Sequence, residues 1–405
     1  MTETETPRIA LNPFVASMQP SATLAVSARA KAMKRAGRDV IALSAGEPDF
    51  DTPAPVVEAA HRALDEGHFH YTPNAGVPEL REAISHKLRT QNGIDRPAAD
   101  VLCSNGAKQS VAQAILAVCG PGDEVLIPAP YWTSYPEQAR LAGATPVAVE
   151  TRPGDGYALR PGALEAALTE RTRLLVLTSP SNPTGAVLSR DEQEALAEVL
   201  RRHPGVLVVS DEIYEHVVFD AEHVSFATLD GMAERTMTVN GLSKGHAMTG
   251  WRLGYAAGPH AWGDAMAKIQ SQFTSGPSAI TQQAAIAAFS MGLGPIREMV
   301  AAFRARRDAV WARLSAIDGF SCPLPEGAFY LFPDVSPLFG RRTPDGAEVT
   351  DAGVLCDYLL DTHEVALVPG AAFGAPYGLR LSYATDLETL GRALDRIEAG
   401  VAALR

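Results

Sequence analysis

Between residues 100 and 260 the apolar positions come in short bursts. EVLIP (124–128), ATPVAV (144–149), RLLVLT (173–178), GVLVVS (205–210), TMTVN (236–240) and LGYAA (253–257) are short runs rich in aliphatic and β-branched side chains. Stretches with helical spacing, such as 107–119 and 190–202, separate several of them. Near-continuous apolar strands alternating with helices predict a largely parallel sheet covered on both faces. Beyond about residue 290 the rhythm changes. A long charged helix at 296–317 leads to short strands at 328–333 and 379–383, with helices at 351–362 and 386–403. Residues 21–37 also carry apolar positions at helical spacing, open on a Ser cap candidate and stop at Gly37.

The pattern predicts an α/β protein. Residues 1–20 form an N-terminal arm, and 51–290 a large domain whose mostly parallel sheet is flanked by helices. Residues 21–50 and 291–405 together form a smaller α+β domain built from both chain ends. A length of 405 residues fits two to three domains, and a composition 46% hydrophobic and 20% charged is that of a globular chain. Thirty-five basic against 47 acidic residues leave a formal charge of −12. That balance argues against a sequence-independent grip on nucleic acid, while leaving room for a local basic pocket. The four cysteines show no C-x-x-C pair and read as small buried residues. MTETETPRIALNPF lacks a secretory pattern and no stretch approaches 18 uninterrupted apolar residues, so a soluble, cytoplasmic protein without membrane partners is expected.

Chemically expensive residues fall where the predicted strands end, the edge at which open α/β sheets bind ligands. Ser104-Asn105-Gly106-Ala107-Lys108 opens a helix, Asn182 lies in SPSNPTG, and Asp211 and Tyr214 follow one strand. Lys244 follows another, inside GLSKGHAMTGWRLGY, a run with few other charges. Such surroundings suit a lysine of lowered pKa, the requirement for a Schiff base, although a lone lysine is more often a solvated surface charge. Arg252 offers a fork for a phosphate oxygen pair, and Ser243 a hydroxyl. A carboxylate at Asp211 is expensive to desolvate without a cation. Its partner is either an internal arginine, a helix end, or a protonated ring nitrogen such as a pyridinium. Tyr214 and Asn182 are donors suited to a phenolate oxygen. The NGAKQ segment is either an ordinary helix start or an anion site of free N–H groups at a helix N-terminus. Neither a Walker A loop nor G-x-G-x-x-G is present. Trp132, in PAPYWTSYP, either stacks on an aromatic cofactor or packs the loop.

With these residues assembled, the chain resembles the class I aminotransferases, pyridoxal-phosphate enzymes of fold type I, over nearly its whole length. The resemblance rests on SAGEPDFDTP (44–53), YTPNAGVPELREA (71–83), NGAKQ (105–109), PSNPTG (180–185), SDEIYEH (210–216), the lysine segment through Arg252, EGAFY (326–330) and RLSYAT (380–385). Within the class, PSATLAV (20–26) and AMTGWR are similar to the bacterial aspartate/prephenate branch.

The resemblance implies pyridoxal 5'-phosphate as cofactor, with Lys244 as the Schiff-base lysine and proton shuttle and Asp211 as the partner of the pyridine nitrogen. Tyr214 and Asn182 match the donors to its phenolate oxygen. Gly106, Ala107, Ser243 and Arg252 match the phosphate cup, and Trp132 the ring that stacks on the cofactor. Arg380 matches the arginine that grips the substrate α-carboxylate, and Gly46 lies in a substrate-contacting loop. Tyr71 matches a tyrosine reaching the phosphate of a neighbouring subunit, which implies a homodimer with composite sites. Gly241 departs from members that carry serine three positions before the lysine, so the phosphate is expected to lean on Ser243, Lys108 or backbone donors.

The expected activity is ping-pong transfer of an amino group between an acidic L-amino acid, aspartate or glutamate, and a 2-oxo acid. Lys108 is a candidate for a second substrate carboxylate; the alternative is a phosphate-neutralising or solvent-facing charge. Prephenate or aromatic transamination, or β-elimination by the same lysine, are the competing chemistries. A non-catalytic effector-sensing module is the competing class, disfavoured because few residues precede the first family motif.

Overall fold

The computed structural model describes residues 9–405. Of the expected arm, residues 1–8 lie outside the described residues. The remainder is more ordered than its composition suggests: Asn12 accepts from the Phe14 amide at 2.9 Å and caps a short helix, Pro13–Ser17.

Seven strands form the central sheet, in the order Val101–Ser104, Gly254–Ala257, Thr236–Gly241, Leu207–Asp211, Thr172–Thr178, Glu124–Ala129, Thr145–Glu150. The last five run parallel to one another. The alternation along Thr172–Thr178 shows why the strand is apolar throughout. Leu174 and Val176 join the layer containing Val111, Ala114 and Ile115, while Leu175 and Leu177 join the layer of Leu196 and Leu200. Both faces are buried under helices, as a parallel sheet requires. One covering helix, Arg190–Arg201, begins in a reciprocal cap: Ser189 Oγ accepts from the Glu192 amide at 3.3 Å, and the Ser189 amide donates to Glu192 at 3.0 Å.

The 253–257 run is the one strand in the sheet that is reversed. It pairs antiparallel with Thr236–Gly241 on one side and Val101–Ser104 on the other. No crossover helix separates it from Thr236–Gly241, so the chain re-enters the sheet from the same end. Val101–Ser104 itself is an edge strand that the apolar pattern left unassigned.

Elsewhere the strands are shorter than expected. The 328–333 run pairs only at Tyr330–Leu331, because Ala328 sits in the left-handed region at φ 56° and breaks the extended backbone. Tyr330–Leu331, Leu379–Ser382 and Val368–Pro369 form a small antiparallel sheet. Ile41–Ala42 pairs in parallel with Val365–Ala366, and the Ser382 amide donates to the Leu43 carbonyl at 2.9 Å. The early helix, Ala22–Arg35, is joined to the same region by an ion pair from Arg29 to Asp361, and the segment after it by one from Arg38 to Glu364. A single buried cluster runs from Val125 and Val209 through Phe303, Phe329 and Tyr383 to Leu359 and Ile397. All four cysteines are free, with Cys103 and Cys356 buried. Among the described residues no single helix is long and apolar enough to cross a membrane.

One contact fixes how closely the reversed strand approaches the 107–118 helix. A Cβ on Gly254 would lie 2.1 Å from the Ala107 amide nitrogen. Gly254→Ala is therefore expected to lose roughly 2–3 kcal/mol of stability through overpacking. Gly250→Ala, where a Cβ meets nothing within 4 Å, serves as the neutral control in parallel urea titrations.

Candidate active site

The carboxyl edge of the sheet does bring the unusual residues together. Asp211 is the last residue of its strand, Lys244 stands in the segment after Thr236–Gly241, and Asn182 in the loop after Thr172–Thr178. Arg380 and Gly46 arrive from outside the large sheet, on and beside the short strands Leu379–Ser382 and Ile41–Ala42. Eleven of the thirteen residues singled out from sequence line one cavity of about 550 Å³: Gly46, Ala107, Lys108, Trp132, Asn182, Asp211, Tyr214, Ser243, Lys244, Arg252 and Arg380. Gly106 abuts it through Arg252. Tyr71 lies elsewhere, fully exposed beside Phe69 and Thr72.

Lys244 Nζ donates to the Gly46 carbonyl and sits 5.8 Å from the Tyr214 ring centroid and 6.0 Å from that of Phe329. Desolvation, reinforced by the positive charge of Arg380, brings its ammonium down to about 8. A fraction of the amine is thus unprotonated near neutrality, the form that attacks a carbonyl or removes a proton.

Asp211 is buried, and among the described residues no cation lies within hydrogen-bonding distance of it. Its Oδ2 accepts from Tyr135 Oη at 2.7 Å and its Oδ1 from the Ile213 amide at 3.2 Å. Burial raises its carboxyl to about 6, against the pull of the Tyr135 hydrogen bond. The neighbouring Glu212 is equally buried but accepts from the hydroxyls of Ser210 and Ser225, at 2.9 and 2.6 Å, and pairs with His223. Only Asp211 faces the cavity.

Arg380 is the opposite pole. Its guanidinium is buried, with Cζ 4.6 Å from the Tyr330 ring centroid and 5.1 Å from that of Phe373. Nη2 donates to the Ser44 carbonyl at 2.8 Å and Nη1 to Asn182 Oδ1 at 2.9 Å. Nε has no partner, and among the described residues no carboxylate pairs with the group. Arginine only donates, so its bond fixes the Asn182 oxygen toward Arg380 and leaves the amide NH₂ for a ligand. Tyr214 Oη pairs with Tyr330 Oη at 2.8 Å.

The phosphate-sized corner is made by the start of the Ala107–Val118 helix. Gly106 precedes it at φ 91°, and a Cβ there would lie 2.5 Å from Arg252 Nη2. Arg252 itself holds a left-handed φ of 57° and donates to the Thr249 carbonyl at 2.8 Å. The helix N-terminus, Ser243 and Arg252 converge, which is the chemistry of a dianion site. The absence of serine at 241 has a steric cause: a Cβ on Gly241 already meets the Leu253 carbonyl at 2.8 Å. Lys108 Nζ lies 5.0 Å from the Trp132 ring centroid. Desolvation, then Arg252, lowers its pKa.

Three cavity residues escaped the sequence reading. Tyr135 holds Asp211 and also pairs with Thr178 at 2.7 Å. Tyr330 supports Tyr214 and Arg380, and Ser44 supplies the Arg380 carbonyl. Each lies in a motif already noted, PAPYWTSYP, EGAFY or SAGEPDFDTP. Their role depends on side-chain direction, which spacing does not convey.

The donor set fits pyridoxal phosphate: a buried carboxylate without a cation for a ring nitrogen, phenol and amide donors for a ring oxygen, a helix N-terminus with an arginine for the phosphate, and an amine of lowered pKa for the aldehyde. Comparison with known proteins agrees. Residues 38–397 match the family model "Aminotransferase class I and II". A "Bifunctional aspartate aminotransferase and glutamate/aspartate-prephenate aminotransferase" from Petunia hybrida is 54% identical, over 98% of this chain and 84% of its own. An "Aspartate/prephenate aminotransferase" from Cereibacter sphaeroides is 48% identical over 97% and 99%. The crystal structure of a Rhizobium meliloti aspartate aminotransferase superposes with a TM-score of 0.95 at 44% identity, covering 98% of this chain and all of that one. The chain belongs to the class I and II aminotransferases. It is a pyridoxal-phosphate-dependent enzyme of amino-group transfer.

An uncompensated Asp211 has a consequence for the cofactor-free protein. A carboxyl raised from 3.8 in the unfolded chain to about 6 when folded favours folding less as pH rises between those values. The penalty is complete above the folded value, at roughly 3 kcal/mol. Cofactor-free Asp211→Asn is expected to be more stable than the parent at pH 8 by up to about that amount. The difference should shrink toward pH 4, measured by thermal unfolding at each pH.

Proposed function

We propose that the chain is an aspartate aminotransferase, moving the amino group of aspartate or glutamate to 2-oxoglutarate or oxaloacetate. One observation carries this reading: two cations, buried Arg380 and exposed Lys108, line a single cavity without carboxylate partners among the described residues. They are the complement of a substrate with two carboxylates. The names of the Petunia and Cereibacter relatives support it, and also favour prephenate, another dicarboxylate, as a second acceptor.

In this reading Arg380 takes the α-carboxylate by a bidentate bond, stacked on Tyr330 and fixed by Ser44 and Asn182. The bound cofactor supplies the carbonyl that receives the amine and a ring that withdraws electrons from Cα. Lys244 Nζ removes the Cα proton and returns a proton on the other side of the exchange. Asp211, oriented by Tyr135, holds its negative charge toward the ring nitrogen. Tyr214 and the Asn182 amide donate to the ring oxygen, with Tyr330 sharing the Tyr214 hydroxyl. The amides at the start of the Ala107–Val118 helix, with Ser243 and Arg252, hold the phosphate. Trp132 covers the ring and Gly46 closes on the substrate. Residues 21–50 with 291–405 act as a small domain against 51–290. Tyr71, exposed beside an exposed Phe69, is supplied to the site of a second copy in a homodimer.

Lys244→Ala is expected to abolish turnover and any borohydride-stable attachment of the cofactor. Retained turnover overturns the assignment. Arg380→Leu is expected to raise KM for every α-carboxylate substrate by about 100-fold or more, the loss typical of a buried charge partner. Lys108→Gln should weaken dicarboxylates while leaving the half-reaction with L-alanine nearly unchanged. Pyruvate and ammonia released without an acceptor would point instead to β-elimination.

A further inference from the structure

The Ala22–Arg35 helix turns an unusual face to the cavity. Leu24, Ser27, Ala30, Lys31 and Lys34 all line it, and their spacing of three and four places them on one side of the helix. A helix held by apolar burial turns a hydrophobic stripe inward. Here Ala30 is the only buried residue of the helix, and Leu24 is 70% exposed. Val26, Ala30 and Met33 supply a narrow stripe of this kind against Leu360 and Ala366, and polar contacts add to it: Arg29 to Asp361, and Ser27 Oγ to Ser44 Oγ at 3.0 Å. Ser44 is the residue whose carbonyl fixes Arg380.

Charge is distributed unevenly around the cavity. The chain as a whole has a formal charge of −12, yet six cationic side chains line this cavity against two carboxylates, Glu47 and Asp211. Lys31 and Lys34 are exposed at its rim, and among the described residues no carboxylate lies within 4.0 Å of either. We infer that Lys31 and Lys34 are specificity-determining residues that capture dicarboxylate anions ahead of monocarboxylates. The inference rests on the acidic-substrate reading above. Coulombic attraction scales with ligand charge, so a dianion gains twice what a monoanion gains from the same two ammonium groups. At physiological salt the field of the acidic surface fades within about 8 Å, so local rim charges decide what an approaching anion meets.

The test uses the cofactor-loaded enzyme carrying Lys31→Gln and Lys34→Gln together, at low and high ionic strength. At about 20 mM salt, kcat/KM for 2-oxoglutarate is expected to fall roughly 5- to 10-fold, that for L-aspartate, with one net negative charge, about 2- to 3-fold, and that for L-alanine, a net-neutral zwitterion, hardly at all. The kcat values should stay within about 2-fold, and the dicarboxylate difference should vanish near 0.5 M salt. Lys31→Arg with Lys34→Arg should restore parental behaviour. Succinate, an unreactive dicarboxylate, gives a readout independent of turnover: its Kd, followed by tryptophan fluorescence, should rise by the same factor as for 2-oxoglutarate. Unchanged constants with an unchanged salt slope overturn the proposal, as does an equal loss for dicarboxylates and alanine. If the parent enzyme fails to transaminate aspartate, the acidic-substrate reading fails, while succinate binding still decides whether the rim selects dianions.

Discussion

Two buried charges of opposite sign, Asp211 and Arg380, line one cavity without pairing with each other or, among the described residues, with any other ion. Left free to meet, they would neutralise each other and leave nothing for a ligand. Neutral partners hold each of them instead. Tyr135 and an amide hold Asp211, while Ser44, Asn182 and two aromatic rings hold Arg380. Hydrogen bonds from uncharged groups orient an ion without cancelling its field, which is the condition for electrostatic preorganisation. In the proposed function the cofactor ring and the substrate carboxylate are the missing counter-charges. Binding and catalysis draw on the same uncompensated energy.

The architecture explains how such a separation is maintained. Asp211 ends a strand buried on both faces, so its backbone is fixed by the parallel ladder on each side. Arg380 sits on a different, antiparallel sheet that also reaches the cavity. The reversed Gly254–Ala257 strand presses against the amide end of the Ala107–Val118 helix and sets the third pole, for phosphate. Three rigid elements therefore carry three charged sites, and the aromatic residues between them are packed to near-zero exposure.

Much of this was legible in the chain. The buried strands announced themselves because a sheet covered on both faces needs uninterrupted apolar runs, and each expected strand of the large sheet lies within two residues of its observed place. The reversal of 254–257 was invisible, since orientation depends on the connection rather than on the strand. The Ala279–Ser290 helix escaped because it is apolar on nearly every side, which erases the 3.6-residue stripe. At the site, Lys244, Asp211 and Asn182 could be read from their positions after strands. Arg380 needed family resemblance, because it does not lie at an end of the large sheet, and Tyr71, read the same way, lies outside the cavity. Tyr135 and Tyr330 stayed hidden: their work is to orient a neighbour, and only side-chain direction reveals that.

The pairing of Ile41–Ala42 with Val365–Ala366, and of Leu43 with Ser382, also orders events during synthesis. The segment bearing Gly46 leaves the ribosome early but has no partner strand until almost the whole polypeptide has emerged. The small strands that carry Arg380 therefore assemble last, after the seven-strand sheet is already complete. A chain interrupted after residue 300 would retain every residue of that sheet and lack Arg380 altogether.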